Sequence, residues 1–298
     1  MKAILARALV ALAALPALAF AIENGTTAFP KGGEDFLVAA MPPPGAYSIL
    51  YATRYSADHL AGSAGDLPLD QFRLRVNAIT PRVDWVKPAS WLGADRWGTL
   101  LILPYLDIDL ALSPVPGVRL AGTSRGVGDL TFGNGLHWTL GDFQVVNAVD
   151  IVAPTGKYDA GQLVNPGRNV WTARASHMGT WLYPQWDLSY RFNYDYDFEN
   201  RDTAYHSGQT VYLNYALGWK PSPATTIGVV GYVLAQVNDD RGPGVPPDGN
   251  RLRTSGFGGA LKHFFPGGVF VTAKYFREQS ARNGPRGEHF WIYAGFPL

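Results

Sequence analysis

The 298-residue chain has no cysteine, which removes both a disulfide framework and thiolate chemistry. Charge is scarce: Asp, Glu, Lys and Arg make up 16% of the residues, against about 25% in a typical soluble domain. The formal net charge is +1, so there is no electrostatic case for nucleic acid as a partner. After the first residues, no apolar run reaches the ~18 residues that a membrane-crossing helix needs. Helical periodicity is scarce throughout. The six histidines, His59, His137, His177, His206, His263 and His289, form no H-x-x-x-H or H-x-H pair, so no zinc site is expected. No cofactor is expected either.

What is present begins with an export pattern. Lys2 and Arg7 precede a short apolar run from Ala8 to Leu18, and Ala19-Phe20-Ala21 has the A-x-A form of a cleavage site. Residues 1–21 are therefore expected to be a cleaved secretory signal. Residues 22–45 follow as a Pro- and Gly-rich segment that includes Pro42, Pro43 and Pro44, which exclude a helix or a central strand there.

From residue 46 to the end a two-residue period takes over. In LSYRFNYDYDFEN, residues 188–200, Leu188, Tyr190, Phe192, Tyr194, Tyr196 and Phe198 alternate with Ser189, Arg191, Asn193, Asp195, Asp197 and Glu199. Successive strand side chains point to opposite faces, so this segment has an aromatic wall and a charged wall. About twelve such segments recur, each roughly 10–14 residues long, and Gly/Pro turns separate them. That length suits a tilted membrane-spanning strand better than a soluble one. The chain is therefore expected to be all-β: a transmembrane antiparallel β-barrel of about 12 strands over residues 46–298. A secreted β-sandwich is the alternative.

In the barrel reading Tyr190, Phe192, Tyr194, Tyr196 and Phe198 face lipid, as do Phe290, Ile292 and Phe296 of the C-terminal strand, with Trp291 and Tyr293 inward. The lumen-facing candidates are Arg73, Arg75, Asp107, Asp109, Arg191, Asp195, Asp197 and Lys274. Replacement of Asp195 by Asn is expected to cost little. Residues 22–45 have two candidate places, a disordered tail or a plug in the lumen. The plug is preferred, because burying apolar side chains such as Phe29, Phe36, Leu37 and Met41 favours it and the prolines reduce the entropy lost on ordering.

Several ordered stretches resemble the meta-pathway phenol-degradation family of outer-membrane proteins. They are Phe29-Pro-Lys-Gly-Gly33, Pro42-Pro-Pro-Gly45, Gly126-Val-Gly-Asp129, the PTGKYD of Pro154–Asp159, the NPGRN of Asn165–Asn169, Tyr205-His-Ser-Gly208, Gly231–Gln236 with Asp239-Asp240, and Lys274-Tyr275. The resemblance implies an outer-membrane barrel in a Gram-negative bacterium, linked to aromatic catabolism and without catalytic residues. Its expected partners are outer-membrane lipid, the barrel-assembly machinery and a small hydrophobic or aromatic solute. The alternative is a barrel that does not transport.

No enzymatic activity is expected. Gly122-Thr-Ser124-Arg-Gly126 matches the G-x-S-x-G pattern, but a nucleophile elbow needs a strand, a strained turn and a helix, and here a turn reading is preferred. Asp107 with Asp109, and Asp195 with Asp197 and Glu199, could offer oxygen ligands to calcium. Pairing with Arg73, Arg75, Arg191 or Lys274 is the preferred reading.

Overall fold

The computed structural model describes residues 27–298. The expected signal peptide, residues 1–21, and the start of the 22–45 segment lie outside the described residues. Twelve antiparallel strands form one closed barrel. They are β1 (Gly45–Gly62), β2 (Gln71–Pro88), β3 (Arg96–Ile102, then Tyr105–Ser113), β4 (Leu120–Val127, then Leu130–Leu140), β5 (Phe143–Ala153) and β6 (Thr172–Leu182). The second half comprises β7 (Trp186–Asp197), β8 (Thr210–Ser222), β9 (Thr225–Gln236), β10 (Arg253–Phe264), β11 (Phe270–Arg282) and β12 (Gly284–Pro297).

Closure is made by β1, which bonds β12 from Tyr47↔Pro297 to Ala61↔Gly284 and bonds β2 from Gly45↔Val86 to Ala57↔Leu74. A closed barrel leaves no sheet edge in hydrocarbon, where an unpaired N–H or C=O would find no water. Among the described residues no helix is long and apolar enough to cross a membrane. Connections are short at the end that carries the chain termini, where Gly141 and Asp142 alone join β4 to β5. The three longest are at the other end, residues 154–171, 198–209 and 237–252, although Asn283 alone joins β11 to β12 there. Bacterial outer-membrane barrels have this pattern, with the short turns on the periplasmic side.

Two strands are broken at the same height. In β3 the break is Leu103-Pro104, and proline supplies no ladder donor; in β4 it is Gly128-Asp129. Gly128 N–H donates to the Pro104 carbonyl at 2.8 Å, tying the breaks together. Beyond them, Leu120–Val127 has a ladder partner in β3 alone. Its other edge is covered by the 154–171 connection: Lys157 N–H donates to Val127 O at 2.8 Å, and Asp129 accepts from the N–H groups of Gly156 (2.9 Å) and Arg168 (2.8 Å).

The outer face changes character along β2 and β3. Ile79 and Trp85 stand exposed on β2, and Trp97, Leu103 and Tyr105 on β3. Further from the chain termini, Arg73, Arg75 and Asn77 occupy the same outer face of β2, while Asp107 and Asp109 occupy that of β3. On the inner face of this stretch are Leu74, Val76, Leu106, Ile108 and Leu110. The placement of Arg73, Arg75, Asp107 and Asp109 in the lumen is therefore corrected: they are exposed on the outside. The physical reason is that β1 to β4 continue past the apolar band into water. The two-residue period persists there, but its sign reverses. The outward charges pair weakly, Arg73 with Asp109 at 3.1 Å and Arg125 with Asp107 at 2.9 Å, and exposed pairs like these contribute little to stability. The 122–126 segment is also not a turn. Ser124 sits mid-strand in the first part of β4, without the strand–turn–helix context of an elbow.

Tryptophans cluster at the rim that carries the chain termini. Trp85, Trp91, Trp97, Trp181, Trp186 and Trp219 are all exposed there, and Trp138 is half-buried. Amphipathic indole rings favour the membrane–water interface. Two stand apart: Trp171 is exposed at the opposite end, and Trp291 is 3% exposed on the inner face of β12.

Candidate functional site

The lumen is built from the inward-facing half of each alternating strand and from residues 27–44, which lie inside it. Phe36, 1% exposed, packs with Tyr212, Ala216, Val230 and Tyr232 of β8 and β9. Phe29 is buried in the same cluster, and Leu37 packs against it. Leu37 adopts φ 64°, a left-handed conformation costly for a leucine, and wall contacts hold it there. Leu37 N–H donates to Ser189 Oγ (3.0 Å), Ala39 N–H donates to Thr180 Oγ1 (3.0 Å), and Lys262 Nζ donates to Phe36 O (2.6 Å). Met41 is half-buried, and its carbonyl accepts from Arg96 Nη1 at 2.6 Å.

Three ion-pair sites reinforce this seat. Lys31 pairs with Glu278 at 2.7 Å and Glu34 with Arg191 at 2.6 Å. Asp35 lies between Lys262 (2.8 Å) and Lys274 (2.9 Å) and also accepts from the Tyr293 hydroxyl. Burial pushes the Asp35 carboxyl up, but the two ammonium groups outweigh it and hold the group well below the usual carboxylate range.

A second tier of charges supports the first. Arg174 holds Asp195 through two hydrogen bonds of 2.7 Å. Arg191 reaches Asp150 at 3.2 Å, and Arg168 reaches Asp197 at 2.5 Å. The guanidinium carbons of Arg174 and Arg191 each stand 4.8 Å from the centre of the Phe29 ring, within cation–π range.

Between this seat and the wall of β1 to β5 lies a cavity of ≈330 Å³. Leu74, Val76, Leu100, Ile102, Leu106 and Ile108 form its apolar side. Lys31, Arg168, Arg174, Arg191, His289 and Trp291 line the side near residues 27–44. Such a concave space with apolar walls and a few convergent polar groups is the usual form of a small-molecule site.

Arg191, Asp195, Asp197 and Lys274 thus all lie in buried ion pairs on the lumen side, whereas Arg73, Arg75, Asp107 and Asp109 stand on the outer face. Phe192, Tyr194, Phe198, Phe290, Ile292 and Phe296 are exposed on the outer face, with Tyr190 and Tyr196 half-buried on that face. Asp195 is buried and bidentate to Arg174, so a larger cost for Asp195→Asn than the sequence suggested is now expected. Sequence reasoning missed Asp150, Arg168, Arg174, Lys262 and Glu278. Asp150, Arg174, Lys262 and Glu278 sit on inner faces among Thr, Ser, Ala, Val or aromatic neighbours, so only strand parity marked them, and Arg168 lies in the 154–171 connection, where no periodicity marks it.

The family model described as "Putative MetA-pathway of phenol degradation" matches residues 57–293. The chain belongs to this family. No curated protein matches this chain. Its fold is similar to that of an outer membrane channel from Pseudomonas putida F1, with TM-score 0.78 and 17% identity over 87% of this chain and 97% of that one. It is also similar to the β domain of the Bordetella autotransporter BrkA, with TM-score 0.52 and 12% identity over 85% of this chain and 100% of that one. At these identities the likeness shows the barrel fold.

Proposed function

We propose that the chain is an outer-membrane channel or facilitator for passive uptake of small hydrophobic or aromatic compounds. One observation carries this reading: a cavity of ≈330 Å³ with an apolar wall lies inside a membrane-type barrel whose lumen is otherwise occupied by residues 27–44. The family's description names phenol degradation, and the Pseudomonas putida protein of similar fold is an outer membrane channel. Residues 1–21 direct export and are removed, the assembly machinery reads the C-terminal strand, and the exposed aromatic face of β7 meets lipid. Residues 27–44 act as a plug that narrows the pathway, so that a small apolar solute passes while free water flow does not. The chain performs no chemistry on that solute.

The lumen-filling segment also favours a second reading, a barrel that does not transport and serves a structural role. Proteoliposome uptake separates the two. Purified protein should speed entry of toluene above the protein-free rate and leave sugar entry slow. No acceleration for any aromatic probe would sink the transport reading.

A further inference from the structure

The cavity's polar side carries more information than its apolar one. Five cations line it, and each is already matched. Lys31 pairs with Glu278 (2.7 Å), Arg82 with Asp84 (2.8 Å), Arg168 with Asp197 (2.5 Å) and Arg174 with Asp195 (2.7 Å), while Arg191 takes both Glu34 and Asp150. An anionic ligand finds no spare cation here. It would have to break a buried pair, and the abandoned carboxylate would then lie buried without its counter-ion.

Two other lining groups each carry a nitrogen without a hydrogen-bond partner. Trp291 is 3% exposed and His289 8%, and neither Trp291 Nε1 nor His289 Nδ1 meets any hydrogen-bonding atom. Their rings are 4.8 Å apart, tilted by 40°. Buried polar atoms are normally satisfied, so two neighbouring orphans on a cavity wall point to a ligand. Asp150 Oδ1 and Arg168 Nε also lack partners, but each belongs to a charged group already matched by an ion pair. The indole N–H is a donor only, whereas the imidazole nitrogen donates or accepts according to tautomer. A hydroxyl does both, so it answers the pair in either tautomer. A ketone or ether answers only a donor, and a hydrocarbon answers neither.

We infer that Trp291 and His289 form a hydroxyl-recognition subsite, and that the cavity selects neutral molecules with an apolar body and one hydroxyl over both hydrocarbons and anions of the same shape. This deepens the uptake reading and rests on it. Trp291 and His289 bind the solute, and the five matched cations exclude its charged analogues.

Benzyl alcohol, toluene and benzoate share one carbon skeleton and differ in the relevant group. The full chain in lipid nanodiscs, ¹⁵N-labelled, is titrated with each, and the Trp291 indole N–H resonance is followed, assigned by its loss in Trp291→Phe. Benzyl alcohol should shift it saturably, with an affinity about five- to tenfold above that of toluene, the worth of one or two net hydrogen bonds. Benzoate should not compete. His289→Phe, a second variant read through the same resonance, should bring benzyl alcohol towards the affinity of toluene. Equal affinity for toluene and benzyl alcohol, or competition by benzoate, would overturn the subsite in the native protein, whether or not the variants fold. The companion flux assay keeps the readings apart. Saturable, selective binding without accelerated flux refutes uptake and leaves the subsite standing. Flux that is fast and indifferent to the hydroxyl refutes the subsite and leaves uptake standing.

Discussion

Asp35→Asn tests what holds residues 27–44 in place. The native carboxylate is buried between Lys262 and Lys274 at 2.8 and 2.9 Å. Lys274 has no exposed side-chain surface, so solvent cannot screen the loss. Removing one partner of a buried ion pair costs about 3–5 kcal/mol, because the remaining charge stays desolvated. That cost falls on the seated state and is relieved when the segment leaves. The ratio of unseated to seated barrels should therefore rise by about two to nearly four decades. In planar bilayers the variant should show frequent large-conductance openings that the native channel lacks. A triple variant, Asp35→Leu with Lys262→Met and Lys274→Met, replaces the charged site by apolar groups of similar size and should return the trace towards native. Native-like conductance in Asp35→Asn would refute the reasoning, and so would a triple variant as open as the single one.

Acidification gives an independent check. A depressed carboxyl contributes stability that is fully present above its unfolded pKa of about 3.9 and is lost only as pH falls through the lower folded value. Conductance should therefore not change through Asp35 between pH 7 and about pH 5; a steep rise in that window would show that another group controls the seat. Tyr194→Arg places a charge on the exposed face of β7 and should cost roughly 2–4 kcal/mol at mid-membrane depth, measured by folding titration into vesicles; a cost near zero would put that face outside lipid. Asp195→Asn breaks the bidentate pair with Arg174 and should destabilise by a comparable amount in the same titration, about 3–5 kcal/mol. Deletion of Phe296 to Leu298 removes the last rungs to β1, Ser48↔Phe296 and Leu298 N–H to Ala46 O. Heat-modifiable barrel should then be lost from the outer-membrane fraction while export continues, and normal barrel levels would contradict this.

The alternation of residues 188–200 makes the barrel legible in the sequence, because parity in a strand maps directly onto faces. It did not reveal which face was wet. On β7, Phe192 and Tyr194 point out and Asp195 points in, as an apolar surround dictates. On β2 and β3 the same period places Arg73 and Asp109 outside and Leu74 and Ile108 inside. Height along the barrel decides between these cases, and a local window does not encode height. The 18-residue length of β2 was the available signal, since it exceeds what a tilted span needs. The apolar residues of the 22–45 segment were visible, but their seat depends on Arg191, Lys262, Lys274 and Glu278. These come from strands more than 150 positions away, and no periodicity connects them.

The tryptophan distribution gives the molecule a built-in optical contrast. Eight of its nine indoles stand at least partly exposed on the outer surface, most of them at one rim, and Trp291 alone looks inward. Brominated lipids quench indoles within reach of their acyl chains, so emission from the rim should fall with a depth profile centred near one headgroup layer. The light that survives would come from Trp291 and from Trp171, which stands at the opposite end of the barrel. The wavelength and lifetime of Trp291 would then report the polarity of the lumen from within an intact membrane, with no label attached, and a difference spectrum against Trp291→Phe would isolate it.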